Sequence, residues 1–97
     1  MEHGRIPNSL KRYRRLAGYS QRQVAQVIGM RHTNCISKWE RGICFPTSEY
    51  LFRLSFIYKT FPNHLYQELC EKWKEECVSL EKKLLARNEP SFKKFLL

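Results

Sequence analysis

The chain has 97 residues, enough for one domain or one domain with an appendage. Its 18 Lys/Arg against 9 Asp/Glu leave a net charge of +9, while 42% hydrophobic and 13% aromatic residues exclude a disordered basic tail. The length excludes most multi-layer catalytic folds, and the surplus charge calls for an acidic partner, nucleic acid before an anionic membrane.

The charge is uneven. Residues 1–60 hold eleven Lys/Arg and three acids (Glu2, Glu40, Glu49), a net +8, whereas residues 61–97 are almost balanced. The electrostatic attraction therefore sits in the first sixty residues. The cysteines (Cys35, Cys44, Cys70, Cys77) form no CxxC pair, and His3, His32 and His64 are scattered, so no zinc spacing appears and no cofactor is expected. Met1 to Asn8 is polar and lacks the apolar core of a secretory signal, and no apolar run has the length of a membrane span. The expectation is four reduced thiols in a cytoplasmic, nucleoid-associated protein.

Glycines punctuate the chain. Gly18, Gly29 and Gly42 each follow a short helix-like segment, as C-terminal caps do. The first segment runs from about Asn8 to Ala17, capped by Asn8 or Ser9, with Leu10, Tyr13 and Leu16 on one face. The second is bounded by Ser20 as N-cap, with Gln23 in the capping-box position and Tyr19 and Val24 as a hydrophobic staple. Val24, Ala25 and Ile28 make its inner face, and it should run from Gln21 to Ile28. The third begins after Met30-Arg31-His32, with Thr33 as N-cap or His32 as the alternative, and points Ile36 and Trp39 inward.

A fourth helix starts near Thr47 or Ser48, just after Pro46, and carries Tyr50, Leu51, Leu54 and Ile57. Thr60-Phe61-Pro62 restarts a helix, Thr as cap and Pro at its first positions. From Pro62 to about Arg87 there is no Gly or Pro, and Tyr66, Leu69, Trp73, Cys77, Leu80 and Leu84 recur at spacings of three and four. One helix of about seven turns is expected there, ended by Pro90, with Phe92, Phe95, Leu96 and Leu97 in an apolar-basic tail. No period-two pattern predicts a strand.

The run from Tyr19 to Gly29, followed by Cys35-Ile36-Ser37-Lys38-Trp39-Glu40-Arg41-Gly42, resembles the lambda-repressor/Cro-like (XRE-type) helix-turn-helix family. The matching elements are "SQ" opening the second helix, its apolar-Ala pair, Gly at its end, and "IS-W-E-RG" across the third. Pro46 and the Leu51/Leu54 helix also fit, so that the resemblance covers about residues 6–70. Gly29 to Ile36 is seven steps where the common pattern has six, which makes the turn one residue longer and gives Met30 the inward site.

The resemblance implies an all-α domain of five short helices over residues 6–70, with residues 71–97 as a C-terminal helical extension and tail. It implies no enzyme but a sequence-specific regulator of transcription on double-stranded DNA, of the size of a phage or mobile-element regulator in a bacterium. Repression is favoured over activation, because a small chain without a ligand domain acts by occlusion. The major groove admits an α-helix and displays a distinct donor and acceptor code. The reading helix is Thr33 to Arg41. Thr33, Asn34, Ser37 and Lys38 are its base-reading candidates: Asn34 to adenine, Lys38 to guanine, the Thr33 methyl to thymine.

Gln21, Arg22, Arg31 and Arg41 are the phosphate-binding candidates; at the position of Gln21 the family's glutamine bonds phosphate and braces the reading helix. Ile36 and Trp39 support that helix from beneath. Glu40 is expected to pair with Arg14, as in the family, rather than act as an acid. Cys35 is expected to pack. Trp73, Cys77, Leu80 and Leu84 reach beyond what a small body covers and form the candidate face of a homodimer. The alternative is an antitoxin-type module that binds DNA and grips a protein partner through the C-terminal helix.

Overall fold

The computed structural model describes residues 4–87; Pro90 and the tail with Phe92, Phe95, Leu96 and Leu97 lie outside the described residues. Those residues are all-α: α1 (Leu10–Ala17), α2 (Gln21–Val27), α3 (Asn34–Glu40), α4 (Ser48–Ile57), α5 (Pro62–Leu65) and α6 (Gln67–Arg87). Each boundary has a local cause. At α1, Asn8 Oδ1 accepts from the Leu10 amide at 3.1 Å although Ser9 holds the N-cap position, and Gly18 (φ 83°) ends the helix. At α2 the capping box is complete. Ser20 Oγ accepts from the Gln23 amide at 3.1 Å, and Gln23 Oε1 accepts from the Ser20 amide at 2.9 Å. Thr47 caps α4 and Pro62 opens α5 at its first turn.

Five helices meet around one core of Leu10, Val24, Ala25, Ile28, Ile36, Trp39, Leu54, Tyr58, Leu65 and Tyr66. α3 packs on α1 and α2, and α5 on α4 and α6. The Ser9 amide donates to the Leu65 carbonyl at 2.9 Å, which ties the start of α1 to the end of α5.

Several expectations are corrected. Leu16 is 72% exposed rather than inward. A three-residue step turns a helix by about 300°, so two steps carry Leu16 about 120° away from buried Leu10. Thr60 does not cap α5; Phe61 holds that position, and the Thr60 hydroxyl lies 3.1 Å from His64 Nδ1. The helix expected from Pro62 to Arg87 is two helices, broken at Tyr66 (φ −129°, ψ 45°). Neighbouring residues on a helix diverge by about 100°, and the break lets Leu65 and Tyr66 both enter the core. Beyond it α6 buries no residue fully. The Phe45 ring lies 5.2 Å from that of Tyr66 and 6.5 Å from that of Trp73, so Phe45 fastens the base of α6 to the body.

Candidate nucleic-acid interface

α3 buries one side and presents the other. At about 100° per residue, Ile36 and Trp39 lie close together on the inner side, and both are buried. The opposite side carries Asn34, Ser37, Lys38 and Arg41. Asn34, Lys38 and Arg41 are exposed and Ser37 half-buried. Thr33 falls on the flank, half-buried, and holds the N-cap position as expected, though with helical backbone angles and no side-chain capping bond. Cys35, expected to pack, is exposed on the other flank.

The inner side is held by an ion pair that joins three helices. Arg14 Nε donates to Glu40 Oε2 at 2.6 Å and Nη2 to Oε1 at 3.1 Å, a two-pronged contact from α1 to α3. Gln21 Nε2, at the start of α2, donates to the same Glu40 Oε1 at 3.0 Å. Arg14 Nη1 also donates to the Tyr19 carbonyl at 3.0 Å. The hydrogen bond to Glu40 raises the Arg14 pKa above its ordinary value against the opposing effect of burial. Burial, helped by Glu40, pushes the Tyr58 phenol up as well. A carboxamide nitrogen carries two N–H groups; Gln21 spends one on Glu40 and keeps the other.

The ends of α3 are pinned by residues whose role the sequence did not announce. Asn8 Nδ2 donates to the carbonyls of Ile6 (3.0 Å), Trp39 (3.2 Å) and Glu40 (3.4 Å), closing the C-terminal end of α3. The Ile6 amide donates to the Gly42 carbonyl at 2.8 Å. A Cβ on Gly42, whose φ is +76°, would stand 2.5 Å from the Ile6 carbonyl oxygen. In the turn between α2 and α3, the Met30 amide donates to the Ala25 carbonyl at 2.7 Å, and its half-buried side chain packs on the core. The longer turn is thus absorbed by Met30. Arg53 of α4 donates to the Ile28 carbonyl at 3.2 Å and pairs with Glu49 at 2.7 Å, bolting that turn to α4. In sequence Asn8 reads as a cap of α1 and Arg53 only as one of the cations of the first sixty residues, because their partners are distant in the chain.

The surface around α3 is positive for a structural reason. Of the two acids described among residues 4–60, Glu40 is consumed by Arg14 and Glu49 by Arg53. Arg22, Arg31 and Lys38 are exposed, and their side chains have no hydrogen-bond or ion-pair partner among the described residues. Arg41 is exposed and bends its Nε toward the Ser37 carbonyl at 3.4 Å. Trp73, Cys77, Leu80 and Leu84 stand apart from this cluster, exposed along α6. Among the described residues no His, Cys, Asp and Glu group has the arrangement to hold a metal ion, and no helix is long and apolar enough to cross a membrane.

A family model described as helix-turn-helix matches residues 10–55, which span α1 to most of α4. No curated protein and no solved structure matches the chain.

Proposed function

Residues 10–55 belong to the helix-turn-helix family of DNA-binding regulatory domains, and from that premise we propose that the chain reads a specific duplex sequence with the outer side of α3 and represses transcription by occupying it. The observation that carries this reading is the division of α3. Ile36, Trp39 and Glu40 fix it from within, while Asn34, Ser37, Lys38 and Arg41 are left on the solvent side.

Asn34 stands in the first turn of α3, where its carboxamide matches the paired donor and acceptor of adenine, and Lys38 lies one turn on, suited to guanine N7 and O6. Ser37 supplies a short hydroxyl to the same groove. Thr33 contributes its methyl at the flank. Arg22, Arg31 and Arg41 close on phosphates, and the unspent N–H of Gln21 reaches a phosphate while its other N–H holds Glu40. Gln21 then links backbone contact to the orientation of α3. Occlusion of a promoter asks nothing further of such a head. Two copies read two half-sites, with residues 6–70 as the reading domain and residues 71–97 as the extension that joins them.

Selection of bound sites from a random duplex pool tests the reading and should return a defined motif. Asn34→Ala should relax preference at one base pair, a loss of about 1–3 kcal/mol of discrimination there. Arg41→Ala should weaken every site alike. Equal losses from both variants on every sequence would remove the assignment of roles, and a pool with no enriched motif would remove sequence-specific reading. The α6 face also fits the second reading, a protein partner gripped through that helix. Truncation after residue 72 would then abolish protein capture and keep DNA binding.

A further inference from the structure

Beyond its first turn, α6 carries an apolar face on which Trp73, Cys77 and Leu80 are exposed. From half-buried Cys70 to Leu84 the face steps by three, four, three and four residues. That is a heptad seam, with Cys70, Cys77 and Leu84 at the a positions and Trp73 and Leu80 at d. The flanking e positions are Lys74 and Glu81, and the flanking g positions are Glu76 and Lys83.

We propose that α6 pairs antiparallel with α6 of a second copy of this chain, in the register that sets Cys77 opposite Leu80. Charge decides both the occupant and its direction. In an antiparallel pair e faces e and g faces g. Lys74 then meets Glu81 of the second copy and Glu76 meets its Lys83, each contact made twice by symmetry. In a parallel pair g faces e of the next heptad, which sets Glu76 against Glu81 twice.

The helix itself leaves Glu81 and Lys83 unanswered, whereas Lys74 and Glu76 have Glu71 and Lys72 within one turn. The residues three and four away from Glu81 are Cys77, Val78, Leu84 and Leu85, and those around Lys83 are Ser79, Leu80, Ala86 and Arg87. Among the described residues neither Glu81 nor Lys83 has an ion-pair partner. In this register Cys70, where α6 leaves the body, stands opposite Arg87, the last described residue. That opposite residue stands beside an apolar groove of about 360 Å³ lined by Phe45, Pro46, Leu51, Tyr66, Cys70 and Trp73. With the dyad between Cys77 and Leu80, the two α6 N-termini lie about 34 Å apart along the axis at 1.5 Å per residue. A parallel pair would hold them about 10 Å apart. The antiparallel spacing is on the scale of half-sites one turn of DNA apart.

Sedimentation equilibrium of the full chain at low salt, without DNA, tests the pairing. Glu81→Lys turns both contacts between positions 74 and 81 into lysine against lysine and should weaken self-association by about tenfold. Lys74→Glu combined with Glu81→Lys restores the opposite charges and should return the wild-type constant. All these side chains are exposed, and an unchanged helical circular-dichroism signal verifies folding. Stronger association of Glu81→Lys would show a parallel pair and overturn the proposal. No change in either variant, or a chain that sediments as a monomer at tens of micromolar, would overturn it too, the latter assigning the face to a different protein. Because no DNA is present, a failed site selection and a failed pairing are separate results.

Discussion

Glu40 accepts three hydrogen bonds on one carboxylate, two from Arg14 and one from Gln21, and its loss should be felt by both partners. Its side chain is 4% exposed and that of Arg14 11%, so removing either one strands a buried charge. Such a loss costs about 3–5 kcal/mol. Arg14→Ala should therefore lower unfolding free energy in urea by about 3 kcal/mol, although Arg14 lies behind the solvent-facing side of α3. Gly42→Ala meets two obstacles, a left-handed φ and the Ile6 carbonyl, and should cost at least about 2 kcal/mol in the same measurement. Tyr66 gives a pH signature. Its hydroxyl is buried without a hydrogen-bond partner, and burial pushes its pKa from 10.0 up to about 12. The folded state thus holds this proton more tightly than the unfolded chain. Its share of stability is intact below pH 10 and drains as pH climbs toward 12. Tyr66→Phe should flatten that alkaline limb and gain about 1 kcal/mol at neutral pH, because it removes an unpartnered polar group.

At the scale of the element, α2 and α3 are legible in sequence because their determinants are local. Ser20 and Gln23 close a capping box three residues apart, and Ile36 and Trp39 share a face by spacing alone. The ion pair of Arg14 with Glu40 was readable only through the family resemblance, since the two lie 26 residues apart. What stayed hidden is tertiary. Asn8 and Arg53 act on carbonyls 31 and 25 residues away, and no local pattern marks a side chain that caps a distant helix. Periodicity also misled at Tyr66. Apolar spacing runs unbroken through a residue whose backbone leaves the helix, because a stripe records which residues are apolar and not which core they enter. Arg53 supplies the test at this scale. Arg53→Ala frees the Ile28 carbonyl and the turn behind α3, and should speed amide hydrogen exchange at Met30 and Arg31 before it changes exchange in α1.

The whole molecule separates a positive head from an almost neutral extension. Residues 1–60 carry +8 of the +9 total, and the described acids of that head are already paired. If Arg22, Arg31, Lys38 and Arg41 each neutralise a phosphate, log affinity should fall with log salt at a slope of roughly −3 to −4 per head. Arg22→Ala should shallow it by about one unit, read by titration at several salt concentrations. A slope unchanged by Arg22→Ala would take that side chain off the backbone. The Cα dimensions, 54 × 36 × 21 Å, fit a rounded head with a projecting rod.

The strap from Ile6 to Asn8 has a practical corollary for protein engineers. Transplanting only the stretch from Ser20 to Arg41 into a foreign scaffold would move the outer side of α3 and abandon its fastening, since the Ile6 amide, the Asn8 carboxamide and the Arg14 guanidinium all come from upstream. A hybrid made this way would let α3 wobble while every solvent-facing side chain of that helix remained in place. Extending the graft upstream to Arg5 should restore the fastening.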